Sequence, residues 1–263
     1  MKLGKTLVRD NDILQYIKDG FRKLFFNIYF WPLFVLITLI SFFCIPLITA
    51  ANFFFHFWAQ DKAFRNGIRI YGQVIIKIAS VMAPVEVEDR SGGLSLPAIF
   101  VANHNSSADP FLFGALPFEN SFVTSWPFRI PFYRWAMKQA GYIDANKGWE
   151  NLVREGCRLF NRGSSLIIWP EGHRSPEAEL QRFRSGAFRL ALETGRPIVP
   201  VCILGSGDLL PPGRRLLNPV PVKLIIYPEI PPERYANASQ AHKMLGEEVR
   251  DIIQKEIRGA GEL

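Results

Sequence analysis

Cysteine and histidine are scarce in this chain of 263 residues, which contains three cysteines and four histidines. Cys44, Cys157 and Cys202 are odd in number, far apart and flanked by apolar residues, so neither a disulfide framework nor a zinc site is expected. A reducing, cytoplasmic environment fits this pattern. The sequence also lacks the Gly-x-Ser-x-Gly elbow of serine hydrolases and the paired histidines of zinc hydrolases. Both classes of hydrolase are disfavoured, and no metal or cofactor is expected.

Acidic residues are outnumbered, because 24 Asp and Glu stand against 31 Lys and Arg, which gives a net charge of +7 and a pI near 9.4. A basic chain favours an anionic partner, either nucleic acid or lipid head groups. Since no nucleic-acid-binding motif is present, we expect an anionic membrane surface and no nucleic acid.

Charged residues are missing altogether between Leu24 and Gln60. As one straight helix this segment would extend about 55 Å at ~1.5 Å per residue, whereas a bilayer core needs only ~30 Å. Pro32 and Pro46 are expected to break or kink such a helix. Basic residues, which mark the cytoplasmic side of a membrane, flank the segment at both ends: Lys18, Arg22, Lys23, Lys62, Arg65 and Arg69. We therefore predict a helical hairpin that enters one leaflet and returns; a single tilted crossing is the main alternative, and a buried core helix is disfavoured.

The segment ahead of this run has an amphipathic pattern. Its apolar residues fall on one helical face: Ile13, Leu14, Ile17, Phe21, Leu24 and Phe25. This pattern indicates an interfacial helix on an anionic surface, or an ordinary amphipathic helix packed on the following domain. Residues 1–60 are thus predicted to form an interfacial helix and a membrane-embedded hairpin, and residues 61–263 a separate domain.

Short apolar runs alternate with helical patterns in the second part of the chain, which predicts an α/β fold, a mixed sheet flanked by helices. The predicted strands are Val85–Glu88, Ala98–Ala102, Phe122–Thr124, Ser165–Trp169, Ile198–Leu204 and Val222–Tyr227. The predicted helices are Phe132–Ala140, Trp149–Asn161, Ser185–Thr194 and Ser239–Arg258, the last with Ser239 as its N-cap, and a further helix is expected within Trp58–Met82.

The first candidate motif follows a predicted strand and reads Val101-Ala-Asn-His-Asn-Ser-Ser-Ala-Asp-Pro110. His104 is a suitable general base near neutral pH, and Asp109 on its other ring nitrogen would fix the tautomer and stabilise the imidazolium. This requires His104 on the loop at the strand end and Asp109 on the first turn of the next helix. Alternatively, Asp109 only caps that helix, with Pro110 at its first position.

The second motif, Trp169-Pro-Glu-Gly-His-Arg-Ser175, also follows a strand, and open α/β sheets place their sites at the carboxyl ends of strands. Gly172 would allow backbone to approach a ligand closely, and Arg174 offers a planar fork for a phosphate. Glu171 is expected to orient the acceptor or hold the loop. A tight turn with a solvated arginine is the alternative.

Two weaker motifs accompany these. In Gly141-Tyr-Ile-Asp-Ala-Asn-Lys147, Lys147 could reach a phosphate, although a helix end followed by a surface lysine explains the pattern equally well. The apolar strand Ile198-Val-Pro-Val-Cys-Ile203 is expected to line the site rather than perform chemistry.

In their order and spacing, the four motifs resemble those of the glycerolipid acyltransferase superfamily, in particular its bacterial 1-acylglycerol-3-phosphate acyltransferases. Asn103, His104 and Asp109 match the first family block, and Val199, Pro200 and Val201 match the fourth. The third block is matched by Pro170, Glu171, Gly172, Arg174 and Ser175, with His173 in place of the usual threonine. In the second block Asn146 and Lys147 stand where the family has an acidic residue and arginine, which weakens a phosphate contact there.

The resemblance implies transfer of a fatty acyl group from acyl-CoA or acyl carrier protein to the free hydroxyl of a lysophospholipid acceptor, namely 1-acylglycerol-3-phosphate. It implies His104 and Asp109 as catalytic residues. The substrate-binding residues that it implies are Lys147, Glu171, Gly172, Arg174 and Ser175. The expected location is the inner (cytoplasmic) membrane, with the catalytic domain facing the cytoplasm. Another lysolipid acceptor, such as a lyso-ornithine lipid, and a non-catalytic membrane adaptor are the alternatives.

Overall fold

A computed structural model describes residues 10–55, 59–175 and 180–261, with the side chains of residues 10–14 and of residue 132 outside the description. A sheet of seven strands is built from β1 (Val85–Asp89), β2 (Ile99–Ala102), β3 (Asn120–Thr124), β4 (Ile143–Asp144), β5 (Ser165–Ile168), β6 (Ile198–Leu204) and β7 (Val222–Ile226). The strand order is β1-β7-β6-β2-β5-β3-β4, and every neighbouring pair is parallel except β6 and β7. The predicted α/β fold with a mixed sheet is confirmed.

Eight helices are found in the described residues: α1 (Asp10–Phe55), α2 (Gln60–Ala79), α3 (Asp109–Leu112), α4 (Pro131–Gln139), α5 (Gly148–Phe160), α6 (Gly186–Thr194), α7 (Ser206–Leu209) and α8 (Ala241–Gly261). Five helices, α2, α4, α5, α6 and α8, and six of the strands lie within three residues of their predicted bounds. The two-residue strand β4 is too short to leave a pattern in the sequence. Since α8 begins at Ala241, Ser239 is not its N-cap.

Helices cover both faces of the sheet, as the alternation of side chains in β2 illustrates. This strand is fully buried; Phe100 and Ala102 pack in the layer of α1 and α2, whereas Ile99 and Val101 pack in the layer of α5, α6 and α8. A strand covered on both faces carries an unbroken apolar run rather than an alternating one. The strands that are central in the sheet, such as β2 and β6, are therefore those with the most continuous apolar runs.

The N-terminal segment differs from the predicted hairpin, because α1 is one continuous helix of 46 residues that contains both Pro32 and Pro46. Each proline removes one backbone hydrogen bond, but neither ends the helix. The chain reverses after Phe55 instead, and α2 is the second arm. The Thr38 and Tyr71 hydroxyls lie 2.7 Å apart, and the Asn52 amide donates to Gln60 Oε1 at 3.3 Å, which is the pairing of two antiparallel helices.

Within the described residues, Gln15–Phe55 is the one helical segment long and apolar enough to cross a membrane, with a mean hydropathy of 2.6 and no buried residue in its most apolar window. Ile17, Phe21, Leu24 and Phe25 are exposed, so this part of the amphipathic face does not pack on the α/β domain. Ile13 and Leu14, predicted to share that face, lie outside the described side chains.

Buried charges fasten α2 to the domain. The Arg65 guanidinium, 1% exposed, donates to both carboxylate oxygens of Glu119 and to the Ala140 carbonyl, and lies 3.2 Å from Asp61. Asp61 also accepts from Arg162 on the turn after α5, at 2.6 Å. Arg65 and Arg162 hold the pKa of Asp61 below its usual value even though burial opposes this. Removing one partner of such a pair would leave an uncompensated buried charge, so these contacts fix where α2 lies.

Candidate active site

The two main motifs meet because the strands that precede them are neighbours. β2 and β5 run parallel, with Val101 opposite Ile168, so both strands end at the same edge of the sheet. The loop after β2 carries His104, and the loop after β5 carries Glu171. The carboxyl ends of adjacent parallel strands thus form one site, as expected for an open α/β sheet.

His104 and Asp109 form a hydrogen-bonded pair. Imidazole Nδ1 lies 2.7 Å from Asp109 Oδ2, and the same oxygen accepts the backbone amides of Asn105 and Ser106, each at 2.9 Å. The Asp109 side chain is fully buried, whereas that of His104 is 18% exposed. A carboxylate at Nδ1 places the proton on that nitrogen and leaves Nε2 as the basic atom. The pair has the arrangement of a general base and its orienting carboxylate.

The alternative that Asp109 merely caps a helix does not describe this geometry. Asp109 is the first residue of α3, and its carboxylate turns back to the amides of the preceding loop rather than forward to the helix. Its other oxygen, Oδ1, is buried without a hydrogen-bond partner among the described residues. The carboxylate therefore organises the loop that carries His104.

Trp169 is part of the site, although the sequence pattern alone predicts no role for it. Its indole stacks on the His104 imidazole with ring centroids 4.7 Å apart and an interplanar angle of 27°, and Phe122 stacks on the indole at 5.4 Å. Trp169 is the first residue after β5. The sequence indicates its place in the site only by an aromatic residue at the end of a buried strand. The stacked indole covers one face of the imidazole and so holds the plane of that ring.

Glu171 holds the two loops together. Its Oε1 accepts the backbone amide of His104 at 2.9 Å, and its Oε2 accepts that of Gln181 at 3.0 Å. The side chain is 3% exposed. Burial raises the pKa of this carboxyl above its usual value, while the two backbone amides act in the opposite direction. Of the two roles predicted for Glu171, the geometry corresponds to holding the loop.

Gly172 and Arg174 lie on the exposed side of the same loop. Gly172 has φ +75°, and a Cβ atom there would lie 2.7 Å from Cζ of Arg184. The close approach at this glycine is thus made by the chain's own guanidinium, which also lies 3.4 Å from His173 Nδ1. Arg174 is exposed. The rim of the site therefore carries two exposed arginines, Arg174 and Arg184.

Ser175 and Asn103 brace the site from within. Ser175 is buried and its backbone amide donates to the His104 carbonyl at 2.8 Å, which closes the two loops on each other. The Asn103 amide donates to the Ile203 carbonyl and accepts from the Ile203 amide, at 2.8 and 2.7 Å, so it ties β2 to β6 where the motif begins. The strand Ile198–Leu204 is buried beside β2 and contributes packing.

Lys147 is not brought into this cluster. It is exposed at the end of a short 3₁₀ helix that follows the edge strand β4. β4 lies three strands from β2, which corresponds to about 14 Å at ~4.8 Å per strand. Lys147 and His104 both follow the carboxyl ends of parallel strands, but Lys147 lies at the outermost strand, away from the His104 cluster. In the described part of the chain, no group of three or more His, Cys, Asp or Glu side chains is arranged to hold a metal ion.

Comparison with known proteins places this geometry in context. Residues 84–204 match the family model described as Acyltransferase. The chain is 31% identical over 140 residues to a chloroplastic 1-acyl-sn-glycerol-3-phosphate acyltransferase of Brassica napus, covering 51% of this chain and 41% of that protein. It is 30% identical over 135 residues to a lyso-ornithine lipid O-acyltransferase of Pseudomonas aeruginosa, covering 49% of this chain and 51% of that protein. The chain spans about half the length of the curated relatives that it matches.

The fold has a counterpart among solved structures. The crystal structure of the 1-acyl-sn-glycerophosphate acyltransferase of Thermotoga maritima aligns with a TM-score of 0.68 and 21% identity, covering 94% of this chain and 98% of that one. The likeness extends well beyond residues 84–204, so the N-terminal helices are included in the shared fold.

Proposed function

We propose that the protein is an O-acyltransferase that acylates the free hydroxyl of 1-acylglycerol-3-phosphate and so produces phosphatidic acid; the match of residues 84–204 to the family model described as Acyltransferase supports the reaction class. The acyl donor is a thioester, acyl-CoA or acyl carrier protein. The observation that carries the proposal is the His104–Asp109 pair, held at the sheet edge by Glu171. A fixed base of this kind is the group that a hydroxyl needs to become a nucleophile.

The reaction proceeds by direct transfer. Nε2 of His104 accepts the proton of the acceptor hydroxyl while the oxygen attacks the thioester carbonyl. Asp109 stabilises the imidazolium that forms, and the Trp169 face lies against it. When the tetrahedral intermediate collapses, the carbon–sulfur bond breaks and the thiolate takes the proton from Nε2. The base is thus returned to its starting form without an acyl-enzyme.

Arg174 is assigned to the acceptor phosphate. It follows the anchored Glu171 by three positions and is exposed on the same loop, where a guanidinium can bind a phosphate through two parallel hydrogen bonds. Arg184 lies beside this loop and adds positive charge, whereas Lys147 acts only from the rim.

Acyl transfer is tested with a His104→Ala variant that remains folded, in membranes supplied with thioester and 1-acylglycerol-3-phosphate. Loss of transfer is expected, and near-normal activity would remove His104 as the base. In Arg174→Lys the charge stays but the planar fork is lost, so the KM for the acceptor should rise; an unchanged KM would remove Arg174 from phosphate binding.

The acceptor has one serious rival, because a lyso-ornithine lipid O-acyltransferase is matched over about as much of the chain as the glycerophosphate enzymes. Thioester consumption with a panel of lysolipids separates the two. Preference for 1-acylglycerol-3-phosphate supports the proposal, and preference for a lyso-ornithine lipid replaces the acceptor. Acceptor-independent consumption would indicate a hydrolase, and no consumption at all would indicate a membrane adaptor.

We further propose that α1 lies in one leaflet of the cytoplasmic membrane, with the α/β domain facing the cytoplasm. The support is that α1 contacts the rest of the protein along its length, at Asn27, Thr38 and Asn52, while its outer face is apolar and exposed. In a cysteine-free variant, Lys18→Cys and Ala59→Cys should both react with an impermeant maleimide from the cytoplasmic side. Reaction of only one of them would indicate a crossing.

A further inference from the structure

The loop between α7 and β7 presents an exposed basic turn. Pro211 accepts the backbone amide of Arg214 at 3.0 Å, Pro212 occupies the second position, and Gly213 has φ +77° in the third. Proline followed by a residue with positive φ is the signature of a type II β-turn. Three side chains are exposed here: that of Arg214, which is the fourth residue of the turn, and those of Arg215 and Leu216, which follow it. We refer to residues 211–216 as the basic turn.

The basic turn is fastened directly to the apolar helix. Leu217, which follows it and is buried, makes two backbone hydrogen bonds with the Asn27 side chain: the amide of Asn27 donates to Leu217 O at 2.9 Å, and Leu217 N donates to Asn27 Oδ1 at 2.8 Å. Asn27 is itself buried, and it makes two further bonds: its amide donates to the carbonyl of Lys23 at 2.7 Å, and its Oδ1 accepts from the Trp31 indole at 3.1 Å. The buried polar side chain of Asn27, within an apolar run, thus positions the loop between α7 and β7 against α1.

The level of α1 at which the loop attaches is the boundary between its charged and uncharged parts. Lys23 is the last charged residue before the run, and Arg22 precedes it. Arg214 and Arg215 are three and two residues from the anchored Leu217, so the turn attaches to α1 near Lys23 and near Arg22, which lies 3.9 Å from Asp19. No carboxylate in residues 10–55, 59–175 and 180–261 pairs with Arg214 or Arg215. Two cations that no described acidic group neutralises are available to an anionic ligand.

We propose that the basic turn is a second membrane-docking site, which binds the phosphates of anionic phospholipids in the leaflet that holds α1. Arginine forks suit lipid phosphates, and the exposed Leu216 beside them suits the boundary between head groups and acyl chains. The surface potential of an anionic leaflet attracts such residues and falls off within a Debye length, so a turn held against α1 is well placed to use it. The inference uses the membrane position of α1 but not the transfer reaction.

The test is hydrogen–deuterium exchange of the full-length protein in nanodiscs, without thioester or acceptor. The amides of residues 213–216 are compared in phosphatidylcholine discs and in discs that also contain phosphatidylglycerol. Each arginine at an anionic surface strengthens binding about fivefold, so exchange in the turn should slow several-fold in the anionic discs and recover in high salt. Equal exchange in the two kinds of disc would overturn the proposal.

Two variants make the test specific. Arg214→Gln with Arg215→Gln should abolish the difference between the discs. A control with the same loss of charge, Lys243→Gln with Lys255→Gln on exposed positions of α8, should keep it. Protection by inorganic phosphate in neutral discs, or an equal loss in the control, would show that the turn recognises anions or net charge in general and would refute a lipid-docking site. Since no turnover is measured, the outcome does not depend on whether the protein transfers acyl groups.

Discussion

Replacing Glu171 by glutamine distinguishes its two predicted roles, holding the loop and orienting the acceptor. Loss of the loop-holding role has a calculable cost in the free energy of unfolding. The carboxylate accepts one backbone amide on each oxygen, from His104 and Gln181. A carboxamide can accept only one of them and turns its own NH₂ group toward the other. The lost bond to a charged acceptor is worth about 1.5–3 kcal/mol and the unsatisfied amide costs about 1–3 kcal/mol, offset by easier burial of a neutral group. A net loss of about 2 kcal/mol is expected, or roughly 4–8 °C in Tm.

The same change should move the loop that carries His104, and a misplacement of about 1 Å can reduce kcat by roughly 100-fold. We therefore expect Glu171→Gln to lower Tm and kcat together and to leave the KM for the acceptor unchanged. Glu229→Gln is the matched control, since Glu229 also accepts two hydrogen bonds, from the amide and hydroxyl of Ser95, but at the surface and away from the site. An unchanged Tm with a raised acceptor KM would refute the loop-holding role and make Glu171 a substrate ligand.

Three further substitutions test the site and its support. Gly114→Ala places a Cβ atom 2.5 Å from the backbone nitrogen of Gln73 in α2 and should lower stability by about 1–3 kcal/mol. The control Gly186→Ala, whose Cβ atom has its nearest contact at 3.8 Å, should leave stability unchanged. Equal Tm values of the two variants in detergent would contradict this. Asp109→Asn removes a charged hydrogen bond worth about 1.5–3 kcal/mol, so kcat should fall roughly 10- to 100-fold while the protein stays folded. Trp169→Leu should lower kcat, because the imidazole loses the aromatic face on which it stacks, and Trp169→Phe should restore most of the loss. An unchanged kcat in Trp169→Leu would leave Trp169 a packing residue.

The sequence contains enough information to predict the sheet and the pairing of His104 with Asp109. Strands buried on both faces appear as continuous apolar runs, which is why β2, β5 and β6 are predicted within one residue of their bounds. His104 and Asp109 are five residues apart on one short loop, so local geometry alone can bring them together. Their predicted pairing required no knowledge of the rest of the fold.

Contacts between separate loops were harder to predict, since they depend on strand order. The stacking of Trp169 on His104 and the bond from Glu171 to the His104 amide exist only because β5 is adjacent to β2. The motif of Lys147 predicts that this residue belongs to the site. In the structure it follows β4, the outermost strand of the sheet, and so lies away from His104. The sequence placed the turn of the N-terminal hairpin too early because proline commonly ends a helix, whereas α1 continues through Pro32 and Pro46 and the chain turns after Phe55.

One short chain of hydrogen bonds joins α1 to the loop that carries His104. Asn27 binds Leu217, the amide of the next residue, Asn218, donates to the Leu209 carbonyl, and the carbonyl of Leu210 accepts from the Ser106 hydroxyl. Ser106 in turn donates its amide to Asp109. Asn27 follows closely after Lys23, the last charged residue before the apolar run. If α1 lies in one leaflet, as proposed, this boundary marks the level of the lipid head groups, and the hydrogen bonds hold the proposed base near that level. The glycerol hydroxyl of a lysophospholipid can then reach the base without its acyl chain leaving the bilayer.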